Sequence, residues 1–288
     1  MTKVRIVTDS TCYLPDEAVR RYGISLVSLS VTEDGMTQRE LDMDWPAFYD
    51  RLDKRPTLPT TSQPPPSEIV AAFEGAVVAG EQVCGVFLSS WMSGTFEGAM
   101  SARADVLERH PEAVIEVVDA LTTGMVLGFV VERAALAAEG GADASACAQA
   151  ASRWAACGRW LIAPLALENL RKGGRIGGAA AVIGSALKIM PLITVESGRV
   201  ELLRRVRTRA RLLDEMIALF ADETSRLGLS DVCVQQIEAP DEAAVVAERI
   251  AAVTCTRPAI MAVGPVVGLH VGPATGLAYL TLEPIVGA

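Results

Sequence analysis

The chain has 288 residues, of which 50% are hydrophobic and 5% aromatic, and it carries a net charge of −9 with a pI near 4.9. That length favours two domains over one core, and the acidity argues against nucleic acid as the main partner. Only two histidines are present, His110 and His270, which leaves little room for a metal site built on a histidine cluster or for a mechanism needing two imidazoles. No run approaches the roughly 18 apolar residues of a membrane span. The first residues enter a strand pattern directly rather than a signal peptide. Cys12, Cys84, Cys147, Cys157, Cys233 and Cys255 are scattered without paired spacing, so they read as small buried hydrophobes of a reducing cytoplasm.

In chain order, Val4 to Thr8 reads as a first strand ending in Thr8-Asp9-Ser10-Thr11. Leu14-Pro15-Asp16-Glu17 then opens a helix that Gly23 stops. Ile24 to Val31 reads as a second strand, and Asp44-Trp45-Pro46 starts a helix to about Leu52. Lys54 to Pro66 is too rich in proline for a helix or a central strand; it is expected to form a stiff exposed loop carrying Thr60-Thr61-Ser62-Gln63. Ser67 is expected to cap a helix over Glu68 to Ala79. The apolar run Val83 to Leu88 follows as a strand and closes on Ser89-Ser90-Trp91-Met92-Ser93-Gly94-Thr95, four hydroxyls in seven residues. A helix from Thr95 to Arg109, a strand from Val114 to Val118 and two Ala-rich helices, Thr122 to Ala138 and Ala144 to Ala156, complete this half. Alternating strands and helices predict a doubly wound, mostly parallel α/β domain over residues 1–157. Ligands of such sheets bind at the carboxyl ends of strands, where both hydroxyl-rich turns fall.

After residue 157 the pattern changes. Trp160-Leu161-Ile162 leads into the glycine-rich basic segment Glu168 to Gly178 and a small-residue helix, Ala179 to Leu187. Pro191 to Glu196 and Arg199 to Arg205 read as a hairpin turning at Ser197-Gly198. A long helix, Arg209 to Arg226, precedes a strand, Asp231 to Ile237, a helix from Pro240 to Val253 and a strand, Ala259 to Val263. Gly264 to Pro273 reads as a glycine-punctuated turn carrying His270, and Leu277 to Leu282 closes the chain as a strand. Hairpin plus strand–helix–strand predicts a second α+β domain, residues 158–288, with a partly antiparallel sheet.

The chemistry concentrates in a few places. A hydroxyl-rich turn at a helix start is a natural anion receptor, because unpaired N–H groups and the positive end of the dipole converge there. One serine would only cap the helix; a cap needs one hydroxyl, not four. A serine hydrolase would use Ser93 as nucleophile and His270 as base, but Trp91-Met92-Ser93-Gly94-Thr95 lacks the first glycine of the nucleophile elbow. No glycine-rich run ends in Gly-Lys-Ser or Gly-Lys-Thr, so a Walker loop is absent. His110 is expected at an exposed helix end, whereas His270 reads equally as a functional or a packed imidazole. Arg171, Lys172, Arg175, Arg204, Arg205, Arg207, Arg209 and Arg211 gather positive charge in an acidic chain, as a solvated face or as a docking surface for an acidic or phosphate-bearing partner.

Thr8-Asp9-Ser10-Thr11, Thr61-Ser62-Gln63-Pro64, Ser89 to Thr95, Lys172-Gly173-Gly174-Arg175-Ile176 and Gly264 to Pro273 occur in the order seen in the DegV family, which this chain resembles over essentially its whole length. The resemblance implies a fatty-acid-binding protein without catalytic machinery or cofactor of its own, located in the cytoplasm. Such a protein presents the acyl carboxylate to a separate ATP-dependent fatty acid kinase subunit, and the acyl phosphate feeds phospholipid synthesis. By the same resemblance Thr61 and Ser93 hold the carboxylate, with Ser62, Ser90 and Thr95 as neighbouring donors and His270 as the nearby imidazole. Arg171, Arg175, Arg204, Arg205 and Arg207 correspond to the face that docks the kinase. The chain departs from the family pattern at Leu269, Ala274 and Ala120. A serine esterase or thioesterase using Ser93, and a small-metabolite sensor on the same fold, are the alternatives.

Overall fold

The computed structural model of the chain describes residues 3–52, 55, 57–182 and 189–285. The chain divides into two compact units: Met1–Asp44 with Pro59–Thr123 and Leu127–Ala155, and Trp45–Leu58 with Gly124–Val126 and Ala156–Ala288.

In chain order the elements to residue 155 are β1 (Val4–Asp9), α1 (Asp16–Tyr22), β2 (Ser25–Val27), β3 (Ser30–Glu33), β4 (Met36–Arg39) and α2 (Trp45–Leu52). They continue with β5 (Thr60–Ser62), α3 (Pro66–Val78), β6 (Gln82–Phe87), α4 (Thr95–Arg109), β7 (Ile115–Asp119), α5 (Gly124–Glu139) and α6 (Ala144–Ala155). The first unit is organised on a parallel sheet of order β2-β1-β6-β7. Strands buried on both faces read as continuous apolar runs, and β6 is buried over all but its first residue. Val7, Ile69, Phe73, Phe87, Ala99 and Val106 form the core between the sheet, α3 and α4. Thr8 stands opposite Val86, and Phe87 opposite Asp119. The adjacent strands β1, β6 and β7 therefore end level, on Asp9, Phe87 and Asp119.

The single strand expected over Ile24 to Val31 is two. Ser28 N donates to Glu68 Oε1 (2.9 Å) and Leu29 N to Ser10 Oγ (3.2 Å), so side chains replace ladder partners and the chain leaves the parallel sheet. It then joins a small antiparallel sheet of order β4-β3-β5. The β3–β4 hairpin turns on Asp34 (φ 49) and Gly35 (φ 81), a pair of left-handed residues for which Asp-Gly is the standing sequence signal. Thr60–Ser62, expected in a loop, is an edge strand on β3; the prolines flank its three residues rather than interrupt them. Ser67 does not cap α3, which starts at Pro66 behind Pro65 with no side-chain cap.

The second unit carries β8 (Gly158–Pro164), α7 (Glu168–Lys172), β9 (Met190–Glu196), β10 (Arg199–Val206), α8 (Arg209–Leu227) and β11 (Leu229–Ile237). It ends with α9 (Pro240–Thr254), β12 (Ala259–Ala262), α10 (Pro265–Val271) and β13 (Ala274–Thr281). Its mixed sheet has the order β10-β9-β8-β13-β11-β12, in which only β11 and β12 pair in parallel. One face packs on α8 and α9 through Leu161, Met216, Phe220, Val246, Ile250 and Leu277. The predicted hairpin is present, turning at Ser197 and Gly198 with φ of 48° and 82°.

Two expectations for this unit are corrected. The segment Gly264 to Pro273 is largely a helix, α10, opened by Pro265 and closed by Gly272 at φ 72, the usual proline-in, glycine-out pair. Within it, a Cβ on Gly268 would collide with the Tyr49 hydroxyl, which lies within hydrogen-bond reach of the Val263 and Gly264 carbonyls (2.8 and 3.0 Å). That long-range bond explains why Trp45–Leu58 groups with this unit although the sequence reading placed it before the boundary at 157. Of the small-residue helix expected over Ala179 to Leu187, residues 177–182 form a 3-10 turn, and 183–187 lie outside the described residues. No helix among the described residues is long and apolar enough to cross a membrane.

Candidate functional site

The hydroxyl-rich turn leaves the carboxyl end of β6, and its neighbours hold it by its backbone. Leu88 N donates to Asp9 Oδ2 at 2.8 Å, Ser89 N to the Thr122 carbonyl at 2.9 Å, and Ser90 N sits 3.3 Å from each Asp119 carboxylate oxygen. Trp91 N donates to Ser89 Oγ (3.2 Å), and Met92 N and Ser93 N to the Ser89 carbonyl (3.0 and 3.2 Å). The amides of residues 88 to 93 are thus consumed in shaping the turn. The donors left are hydroxyls and the first-turn amides of α4, whose own carbonyl partners lie outside the helix. No side chain caps α4. Ser93 Oγ and Thr95 Oγ1 lie 2.9 Å apart; Thr95 and Ser89 are buried, Ser90 and Ser93 half-buried.

Thr61, opposite Val31 in the β3–β5 pair, is half-buried, and Ser62 is exposed. A Cβ on Gly94 would collide with the Gln63 carboxamide, and one on Gly98 would meet Gln63 Nε2 at 3.5 Å. The proline-flanked strand and the hydroxyl turn, separated in sequence by the whole of α3 and β6, therefore meet inside one unit, with Gln63 two residues from Thr61 and Gly94 next to Ser93. Asp9 underlies the assembly. Burial raises its carboxyl above the usual range, while hydrogen bonds from Thr11 and Leu88 N pull the other way. Thr11 Oγ1 donates to Asp9 Oδ1 (2.6 Å) and accepts from Thr123 Oγ1 (3.0 Å). This network was missed from sequence, although Thr8-Asp9-Ser10-Thr11 marked its place.

In the second unit, His270 lies in the last turn of α10, and its Nδ1 fills the space a side chain on Gly173 would occupy. Asn169 Nδ2 ties the same loop to the Leu269 carbonyl (3.2 Å). Burial, and then the nearby Arg175, lower the His270 pKa to about 4. The sign follows from the direction: the neutral imidazole belongs to the folded state, so its contribution is intact above about 6.5 and is lost as pH falls towards 4. His270→Gln is expected to flatten the acid limb of the melting temperature between pH 6.5 and 4, and an unchanged limb would contradict this. His110, expected at an exposed helix end, is half-buried with Nε2 3.3 Å from Glu74 Oε1.

The basic residues sort into two groups. Arg209 is structural: its Nε donates to Glu242 (2.7 Å) and its Nη2 to the Ala163 carbonyl (2.8 Å). Arg171, Arg175, Arg204, Arg205 and Arg207 are exposed. Arg171 pairs with Glu168 (2.6 Å), and Arg204 lies 3.9 Å from Glu215. Gly177 and Gly178 lie against Val200 and Glu201 of β10, so the glycine-rich loop and the basic strand are neighbours. Among the described residues no group of three or more His, Cys, Asp or Glu could hold a metal ion. Burial pushes the Cys12 thiol up to about 12, which leaves it inert.

A family model described as "Uncharacterised protein, DegV family" matches residues 3–282. A DegV domain-containing protein of Clostridium perfringens (strain 13 / Type A) is 37% identical over 277 residues, 96% of this chain and 98% of that protein. Among solved structures, DegV, a fatty acid binding protein from Bacillus subtilis, superposes with a TM-score of 0.86 at 29% identity, covering 98% of this chain and 100% of that one. A DegV family protein from Thermus thermophilus, described by its fatty acid binding, gives 0.85 at 26% identity with the same coverage.

Proposed function

Because the chain belongs to the DegV family, we propose that it binds a long-chain fatty acid with the carboxylate at Thr61 and Ser93, assisted by Ser62, Ser90 and Thr95. The observation that carries this is the meeting of two hydroxyl-bearing segments through Gln63 and Gly94, on a fold shared with two proteins described as fatty-acid binding. A carboxylate taken from water needs hydrogen bonds or it protonates, and neutral hydroxyls supply them without a countercharge. Grip comes from the tail: about 14 methylenes at ~0.8 kcal/mol each give ~11 kcal/mol gross, reduced by the freedom lost on binding. Titration with oleate tests this directly; micromolar or tighter affinity supports it, and no saturable binding refutes it.

A carboxylate held by hydroxyls and not clamped by an arginine remains a nucleophile towards ATP. The protein thus acts as a carrier, without catalysis of its own, for a partner kinase that makes the acyl phosphate. The exposed cations Arg171, Arg175, Arg204, Arg205 and Arg207 form its docking face. His270 is neutral at neutral pH, because burial, and then Arg175, lower its pKa to about 4. Charge reversal at Arg204 and Arg205 is expected to leave oleate affinity within twofold and to reduce phosphorylation by the partner kinase at least tenfold, since both charges lie at exposed positions. Unaltered turnover would return the cluster to a solvated face.

A further inference from the structure

Two carboxylates flank the Leu88–Ser93 turn, Asp9 and Asp119, and neither pairs with a cation among the described residues. They stand at level ends of the strands on either side of β6. Asp9 takes the Leu88 amide (2.8 Å). Asp119 takes the Ser90 amide (3.3 Å to each oxygen) and, through Oδ1, the Leu121 amide (2.9 Å). Leu121 is held at φ 51, a left-handed conformation that an isoleucine- or leucine-sized residue adopts only when its surroundings impose it. One carboxylate therefore braces two loops against each other, and one of those loops carries Ser93.

We propose that Asp119 is a positioning residue, which fixes the turn in the geometry that presents Ser93 to the acyl carboxylate. This rests on the fatty-acid reading of the site. A negative charge beside an anion site is otherwise unfavourable: as a bystander, Asp119 repels the ligand, and neutralising it tightens binding. As a brace, it is required in spite of its charge, and neutralising it weakens binding. The two roles predict opposite signs. Asp119 is half-exposed whereas Asp9 is fully buried, so Asp119 is the position at which substitution leaves a folded chain to measure.

The test uses the full chain, oleate as the probe, and the variants Asp119→Asn, Asp119→Glu, Ser93→Ala and Asp119→Asn/Ser93→Ala, with melting temperatures recorded alongside. Asparagine keeps the shape but removes the charge and puts an NH2 group in place of one acceptor oxygen, so the bonds from the Ser90 and Leu121 amides lose their charge assistance and Ser90 N loses one of its two acceptors. Asp119→Asn is expected to weaken oleate binding about tenfold, the scale of one charge-assisted hydrogen bond. Asp119→Glu keeps the charge but moves the acceptor by one methylene, and is expected to weaken binding as well. In the Ser93→Ala background the Asp119→Asn effect should vanish, because residues acting through one another are not additive. Unchanged or tighter binding by Asp119→Asn, wild-type affinity in Asp119→Glu, or additive losses in the double variant would each overturn the proposal while leaving the fatty-acid reading in place. A Ser93→Ala chain that binds like the wild type overturns both the proposal and the assignment of the head group to Ser93.

Discussion

Replacing Arg159 with leucine is expected to cost about 3–5 kcal/mol of stability and to lower the melting temperature by roughly 10 °C. Arg159 on β8 and Glu223 on α8 form an ion pair (3.1 Å) whose side chains are 6% and 7% exposed. Arg159 Nε adds a hydrogen bond to Glu223 Oε2 (3.2 Å), and the Tyr279 hydroxyl donates to the same oxygen (2.5 Å). Burial, and then Glu223, push the Tyr279 hydroxyl well above its ordinary range, so it remains a donor. Its ring packs edge-on against Phe220 at 5.0 Å, inside the main core of the second unit. Without the guanidinium, one hydroxyl is left to compensate a carboxylate in a low-dielectric interior. Arg159→Leu/Glu223→Leu should recover a large part of the loss, because a buried pair replaced by apolar groups is close to neutral whereas a broken one is not. Urea and thermal denaturation of the single and double variants measure both effects. A loss below about 1 kcal/mol in the single variant, the range of exposed pairs, would show that the carboxylate stays solvated.

The second large effect concerns binding. Thr61→Val with Ser93→Ala is expected to weaken affinity for a long-chain acid about a hundredfold, since each hydrogen bond to a charged acceptor is worth about 1.5–3 kcal/mol and 1.4 kcal/mol is tenfold. Stability should change little. Valine suits the edge strand β5 as well as threonine does, and Ser93 caps nothing: α4 has no side-chain cap. Each single variant should account for about a tenfold loss. A fall in melting temperature with unchanged affinity would instead make both hydroxyls structural.

Much of the parallel sheet was legible because its signals are local. Val83 to Leu88 is apolar without interruption, as a strand buried on both faces must be, and Pro15, Gly23 and the run from Thr95 to Arg109 mark helix ends in the chain itself. What was not legible depended on partners distant in sequence. Ser28 leaves its sheet because Glu68 accepts its amide, and α2 joins the second unit because Tyr49 reaches the Val263 and Gly264 carbonyls. Glycines misled at Gly264 to Pro273: Gly268 sits inside a helix to admit the Tyr49 hydroxyl, so glycine spacing signalled close approach rather than a turn. The hydroxyls of the site could be read from their density. The spending of the backbone amides on Asp9, Thr122 and Asp119 could not, because it follows from three strands ending level, a property of register.

If hydroxyls from two segments hold a fatty acid, the purified protein itself can report it. Denaturing the chain as isolated from cells, extracting with organic solvent and analysing the extract by mass spectrometry should yield a long-chain acid near one mole per mole of protein, and far less from Thr61→Val/Ser93→Ala. An extract free of long-chain acid, from a chain that also fails to take up added oleate, would contradict the account.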